Sequence, residues 1–208
     1  TRVIQNGNVF EKGGVNISVV FGQVTDEMRK FLNIEGERWF AAGISLVLHP
    51  VNPFVPTVHF NYRMFEVYNE KDEVCDRWFG GGTDLTPYYL FEEDAIHFHQ
   101  TYKNVCDEFD VSFYPAFKNE CDNYFVNSHR NNEMRGIGGI FYDHQRSSGK
   151  QDAEYWMNFG KACGEAFIPA YIPIVEKRKD MAYNENNKHW QEIRRGRYTE
   201  FNLLHDRG

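Results

Sequence analysis

The sequence is poor in cysteine, in basic charge and in long apolar runs, and each shortage excludes a class of protein. Four cysteines, Cys75, Cys106, Cys121 and Cys163, stand among 208 residues at wide, irregular spacings. With no C-x-x-C, neither a zinc knuckle nor a redox pair is indicated, and reduced thiols inside a cell are the simpler reading. Twenty-three Lys and Arg against 30 Asp and Glu leave a formal net charge of -7. That balance argues against nucleic acid or an anionic membrane surface as the main partner, since both require a basic footprint. No apolar run approaches the ~20 residues of a membrane-spanning helix, so no integral membrane segment is expected. Nothing at the start reads as a signal or transit segment, although a chain opening on Thr1 and not Met leaves room for a removed leader. Repeats and low-complexity tracts are also missing. The three glycines Gly80 to Gly82 are not followed by Gly-Lys-Ser/Thr, and Arg135-Gly136-Ile137-Gly138-Gly139 lacks the G-x-G-x-x-G spacing, so no nucleotide-binding loop is expected.

Aromatic residues are abundant, at 16% of the chain. They imply thick layers or a large apolar pocket around a single core, the default for this length. The first half reads as strands: Gly14 to Gly22, Trp39 to His49, Thr57 to Val67 and Arg77 to Gly82, with Arg135 to Asp143 following later. Pro50, Pro53 and Pro56 forbid helix between the second and third of these and fit a broad antiparallel connection. Helices follow: one with an acidic first turn at Glu92-Glu93-Asp94 running to Phe109, one from Pro115 to about Arg130, and one from Asp152 through a break at Ile168-Pro169 to about Lys177. A short fourth helix is expected to end at Gly196, ahead of a last strand from Arg197 to Leu204. Strands in runs followed by helices in runs predict an α+β fold, an antiparallel sheet flanked by helices.

Residues two apart on a strand share a face, so His59, Asn61 and Arg63 line one side of their strand while Val58, Phe60, Tyr62 and Met64 line the other. A wet outer face would explain such a polar row. The neighbouring strand, however, adds Ser45 and His49 to it, and the set makes a credible anion pocket. His97, His99 and His129 are placed on helices; His97 and His99 are two apart, which removes the i, i+4 pair of a zinc helix. Whether His49, His59, His99 and His129 meet around a divalent ion stays open at this level. Arg194, Arg195 and Arg197 suit either a solvated helix end or a polycarboxylate, and Asp206 close by is placed to accept hydrogen bonds from N–H groups.

Taken in order, Gly13-Gly14-Val15-Asn16-Ile17-Ser18, His49 to Pro53, Pro56 to Arg63, Trp78 to Pro87, His129-Arg130, Arg135 to Gly139 and Arg194 to Gly208 resemble the oxygen-dependent coproporphyrinogen III oxidase family over essentially the whole chain. The resemblance implies a single domain over residues 1–208, lacking N- and C-terminal segments that family members carry, and a large antiparallel sheet with helices on both faces. It implies a homodimer that removes two propionate carboxylates of coproporphyrinogen III as CO2, leaving vinyl groups, with O2 as co-substrate. No metal or organic cofactor is required on this reading, although some bacterial members have a divalent metal assigned to histidines matching His49, His59, His99 and His129. His59 matches a proposed proton donor. Asp84 and Asp206 match carboxylates proposed to engage the macrocycle, and Ser45, Asn61, Tyr62 and Arg63 match substrate-contacting positions. A cytoplasmic location is expected, with the mitochondrial intermembrane space as the alternative. Two other readings stay open: a histidine-bound non-haem metal oxidase and a tetrapyrrole carrier without turnover.

Overall fold

A computed structural model describes residues 1–206; Arg207 and Gly208, the end of the last motif, lie outside the described residues. The strands are β1 (Arg2–Gln5), β2 (Phe10–Gln23), β3 (Arg38–Pro50), β4 (Thr57–Tyr68), β5 (Val74–Thr86), the short pair β6 (Val126–Asn127) and β7 (Glu133–Met134), and β8 (Gly138–Gln145). The helices are α1 (Asp26–Leu32), α2 (Glu92–Phe109), α3 (Phe113–Tyr124), α4 (Ala153–Glu165), α5 (Phe167–Arg178) and α6 (Glu185–Leu204). Six strands form one antiparallel sheet in the order β1-β2-β3-β4-β5-β8.

The expected alternation along β4 sets the two faces. Val58, Phe60 and Tyr62 are buried beneath α2, α4 and α5, in a core with Phe98, Tyr102, Trp156, Phe159 and Tyr171. His59, Asn61 and Arg63 face the other way. There α1 covers one end through Met28 and Leu32 against Val67 and Trp78. At the other end α6 is fastened by Gln191 and Arg195, which donate to the Pro50 carbonyl at 3.0 and 2.9 Å. Helices therefore flank both faces, as expected, but on this second face they leave the middle of the sheet uncovered. Side-chain caps start several of them: Thr25 accepts from Met28 N, Asp152 from Tyr155 N, and Asn184 forms a reciprocal pair with Asn187. No described helix is long and apolar enough to cross a membrane.

Two expectations are overturned. Gly196 does not end a helix, and Arg197 to Leu204 is not a strand: α6 runs unbroken through both. The buried residues Gln191, Tyr198 and Phe201 recur at helical spacing, and packing of that stripe outweighs the ~1 kcal/mol that one internal glycine costs. The helix expected to reach Arg130 stops at Tyr124, because Val126 and Asn127 pair with Met134 and Glu133. The chain reverses between them through Asn131 and Asn132, both at positive φ, residues that tolerate this conformation. His129 consequently lies on a short 3-10 turn, Ser128–Arg130, and not on an α-helix.

Candidate active site

Register defines the floor of the uncovered trough. Asn16, Ser45, Asn61, Gly82 and Phe141 stand opposite one another across five strands, and on one side of that row lie Val47, His59, Asp84 and Gly139. Ser18, Gly43, Arg63 and Gly80 form the next row on the other side. Small side chains at Ser18, Gly43, Gly80 and Gly82 keep the floor low. Asn16, Ser45, Asn61 and Arg63 line a cavity of about 280 Å³ there. Asn61 Oδ1 is buried and has no protein partner, an acceptor whose desolvation a ligand N–H would offset.

His59 is held from behind. Its Nδ1 lies 2.9 Å from Asp84 Oδ1, and the other carboxylate oxygen of Asp84 accepts from Arg135 Nη2 at 2.5 Å. Asp84 and Arg135 are buried, at 2% and 3% exposure, so neither meets a ligand in the trough directly. Burial alone would raise the Asp84 carboxyl, but the Arg135 guanidinium and the His59 hydrogen bond outweigh it and hold it below the usual carboxylate range. The Arg135 guanidinium is sandwiched by rings, 3.8 Å from the Phe125 centroid and 4.6 Å from that of Tyr198, and donates to Asn202 at 2.7 Å. Bound to a carboxylate at Nδ1, His59 presents Nε2 for proton exchange.

The expected residues Ser45, His59, Asn61 and Arg63 are thus brought together, and Asp84 joins them through His59. Asp206, just past the end of α6, accepts from the Tyr124 hydroxyl at 2.6 Å, and Tyr124 stacks on Phe141 with centroids 4.3 Å apart. This line of contacts ties Asp206 to the same sheet row as Asn61. Tyr62 does not join: its side chain points to the core face, where its hydroxyl lies 2.5 Å from Thr83 Oγ1. Pleating forces this separation, because neighbours in a strand face opposite ways.

The four histidines do not meet either. His99 Nε2 lies 3.2 Å from the Ile137 carbonyl, and His129 lies 3.2 Å from Glu200 while stacking on His205. His49 packs edge-on against Tyr198, and His59 faces Asp84. Among the described residues, no group of three or more His, Cys, Asp or Glu could hold a metal ion. Two functional features escaped sequence reasoning. Arg135 was visible only as the start of a glycine-rich strand, and Asp143, which accepts from Arg63 Nη2 at 2.8 Å, gave no signal because its partner is 80 positions away.

His49 makes folding stability depend on pH. Burial first, and then the nearby Arg195 charge, lower its pKa from the usual 6.5 to about 4. Between those values the unfolded chain binds a proton that the folded chain refuses, so this contribution is present at neutral pH and is lost as pH falls from 6.5 towards 4. Urea unfolding at about pH 7 and about pH 5 is expected to show a loss of roughly 1–2 kcal/mol that His49→Gln lacks, after discounting for partial exposure. An equal loss in the variant would assign the acid sensitivity elsewhere.

The sequence model of the coproporphyrinogen III oxidase family matches residues 1–208. Coproporphyrinogen-III oxidase 1, chloroplastic, of Arabidopsis thaliana is 53% identical over 100% of this chain and 55% of its own length. The oxygen-dependent coproporphyrinogen-III oxidase of Drosophila melanogaster is also 53% identical, over 100% of this chain and 54% of its own. The mitochondrial enzyme of that name from Homo sapiens is 49% identical over 99% and 46%. The chain spans about half the length of the curated relatives it matches. With the family's model matching from end to end and half the positions shared with relatives in plants and animals, this chain belongs to the coproporphyrinogen III oxidase family.

Proposed function

We propose that the chain carries the catalytic face of an oxygen-dependent oxidase that converts two propionates of coproporphyrinogen III to vinyl groups, yielding protoporphyrinogen IX, CO2 and hydrogen peroxide in haem biosynthesis. The observation that carries this reading is the uncovered trough, where Asn61 offers an unpartnered buried acceptor between His59 and Arg63. A reduced tetrapyrrole has N–H donors at its centre and carboxylates at its rim, so it needs an acceptor below and a guanidinium to one side. The relatives' names support the same substrate and O2 as co-substrate. No further cofactor is required on this reading.

Each round converts one propionate carboxylate, one O2 and one proton into a vinyl group, CO2 and hydrogen peroxide. Loss of a pyrrole proton makes the ring electron-rich enough to reduce O2. The resulting peroxide removes the propionate β-hydrogen, and the C–CO2 bond then breaks to form the double bond. Asp84 is poorly suited to take the pyrrole proton, because both its oxygens are engaged and it is buried. We therefore read Asp84 as the residue that orients His59, whose Nε2 exchanges the proton with the reacting groups, and Asp206, matched by the resemblance to a carboxylate engaging the macrocycle, as the base. Ser45 and Asn61 contact the macrocycle, and Arg63 clamps a carboxylate.

The whole chain, residues 1–208, is read as one such domain acting in a homodimer. Ile17, Val19 and Phe21, exposed at 69%, 58% and 78%, support a partner surface over β2. Relatives named chloroplastic or mitochondrial favour an organelle, the mitochondrial intermembrane space included, over the cytosol. The test is anaerobic mixing with coproporphyrinogen III followed by O2 in the presence of EDTA. Protoporphyrinogen IX with CO2 and peroxide is expected. Binding without CO2 release would make the protein a carrier. In the same assay Asp206→Asn is expected to retain binding and to lower kcat by roughly 10²–10⁴; near wild-type turnover would remove Asp206 as the base.

A further inference from the structure

Arg63 reaches the trough from a strand whose neighbour across β5 is irregular. Gly82 opposes Phe141 and Gly81 opposes Tyr142, but Phe79 opposes Gln145, so Gly80 faces two residues, Asp143 and His144. This is a β-bulge, and His144 takes the left-handed conformation at φ 53° that the extra residue demands. Bulges re-aim side chains, and this one delivers the Asp143 carboxylate onto the Arg63 guanidinium. Asp143 Oδ2 accepts from Arg63 Nη2 at 2.8 Å, while Oδ1 accepts from the backbone N–H of His144 at 2.9 Å. The carboxylate is therefore held by its own backbone before it holds the arginine.

Gly80 makes the arrangement possible. A Cβ there would lie 2.5 Å from Asp143 Oδ1 and 3.2 Å from Arg63 Nε, so a side chain at this position would push the Asp143 carboxylate from its place. Among the described residues, the remaining N–H groups of Arg63 have no protein partner. Arg63 lines the trough beside Ser45 and Asn61, so its contact with Asp143 fixes where on that floor the guanidinium sits.

We propose that Asp143, placed by the Gly80 bulge, is a positioning residue that aims Arg63 at one carboxylate of the ligand and thereby sets the site's preference for an acid over its neutral ester. The inference rests on the reading of the trough as a tetrapyrrole carboxylate site. One carboxylate of Asp143 occupies one edge of the guanidinium and leaves the other edge for a bidentate grip on the ligand. The hydrogen bond does the aiming. An asparagine carbonyl can still accept from Arg63, but its NH2 then faces the His144 N–H, so it keeps the contact to the guanidinium and loses the backbone anchor.

The experiment measures binding of coproporphyrin III and of its tetramethyl ester to the full chain by porphyrin fluorescence, together with the kcat and KM of turnover. The wild-type protein is expected to prefer the acid. Asp143→Ala is expected to lose about tenfold in affinity for the acid and to raise KM equally, with ester binding and kcat within about twofold of wild type. Asp143→Asn is expected to recover part of the acid affinity that Asp143→Ala loses. Unchanged acid affinity in Asp143→Ala overturns the proposal, as does an equal loss for acid and ester, or an Asp143→Asn protein no better than the alanine variant. A wild-type protein that binds neither porphyrin removes the tetrapyrrole reading itself; one that prefers the acid regardless of residue 143 removes only the role of Asp143.

Discussion

Truncating Asp84 to alanine is expected to cost the fold roughly 3–5 kcal/mol, a large fraction of the stability of a domain this size. The cost does not lie in a strong attraction lost. It lies in what remains: an Arg135 guanidinium at 3% exposure, enclosed by Phe125, Tyr198 and Phe201, with its main counter-charge removed. Arg135 Nε already lacks a protein partner, so the group has little reserve of hydrogen bonding. Thermal unfolding should show a fall of roughly 6–20 °C, from the usual scaling of stability with Tm at this length. The double variant Asp84→Leu/Arg135→Met removes both charges and keeps their volume, and is expected to recover most of the loss. A double variant as unstable as Asp84→Ala would show that packing at these positions, and not the uncompensated charge, dominates. Both outcomes can be read from urea midpoints without any assay of turnover.

The part of this site legible in the sequence is the part that strand geometry writes locally. Alternation in Thr57 to Val67 separates His59, Asn61 and Arg63 from Phe60 and Tyr62, and the three prolines after His49 predict the antiparallel return that sets Ser45 opposite Asn61. Long-range pairing is not written locally. The Asp84–Arg135 contact joins positions 51 apart, and nothing near Arg135 distinguishes a buried counter-ion from a strand-end charge. The Gly80 bulge is similarly silent, since three successive glycines suit many conformations. Around Gly196 the local signal misleads. Tyr198 and Phe201 are three apart, a spacing that belongs to a helix, yet an adjacent glycine and a short apolar run suggest a stop and a strand. The resemblance to a family supplied the idea of four histidines around an ion, and among the described residues no such group of ligands is gathered. Elements that obey period 2 or period 3.6 are readable; constellations assembled from distant elements are not.

His59→Gln is expected to lower kcat by roughly 10²–10⁴ while changing KM little, if, as proposed, His59 exchanges the proton and Arg63, one row beyond Asn61 on the floor, holds the rim carboxylate. The sharper expectation concerns its partner. Asp84→Asn keeps the size of the side chain, but its amide group can donate to His59 Nδ1, which drives the ring proton to Nε2 and leaves the trough facing an N–H in place of a free lone pair. Arg135 favours this orientation of the amide, since as a donor it draws the Asn carbonyl oxygen to itself. Asp84→Asn should therefore lose nearly as much kcat as His59→Gln, although Asp84 touches no substrate. If the two residues act as one unit, the double variant will be no slower than the slower single variant, because once the imidazole is gone its orientation no longer matters. Multiplicative losses in the double variant would mean that Asp84 acts on the substrate by a route of its own, and the assignment of the pyrrole base to Asp206 would then have to be given up. Folded fractions of each variant, measured first by unfolding at the assay temperature, separate lost stability from lost turnover in that comparison.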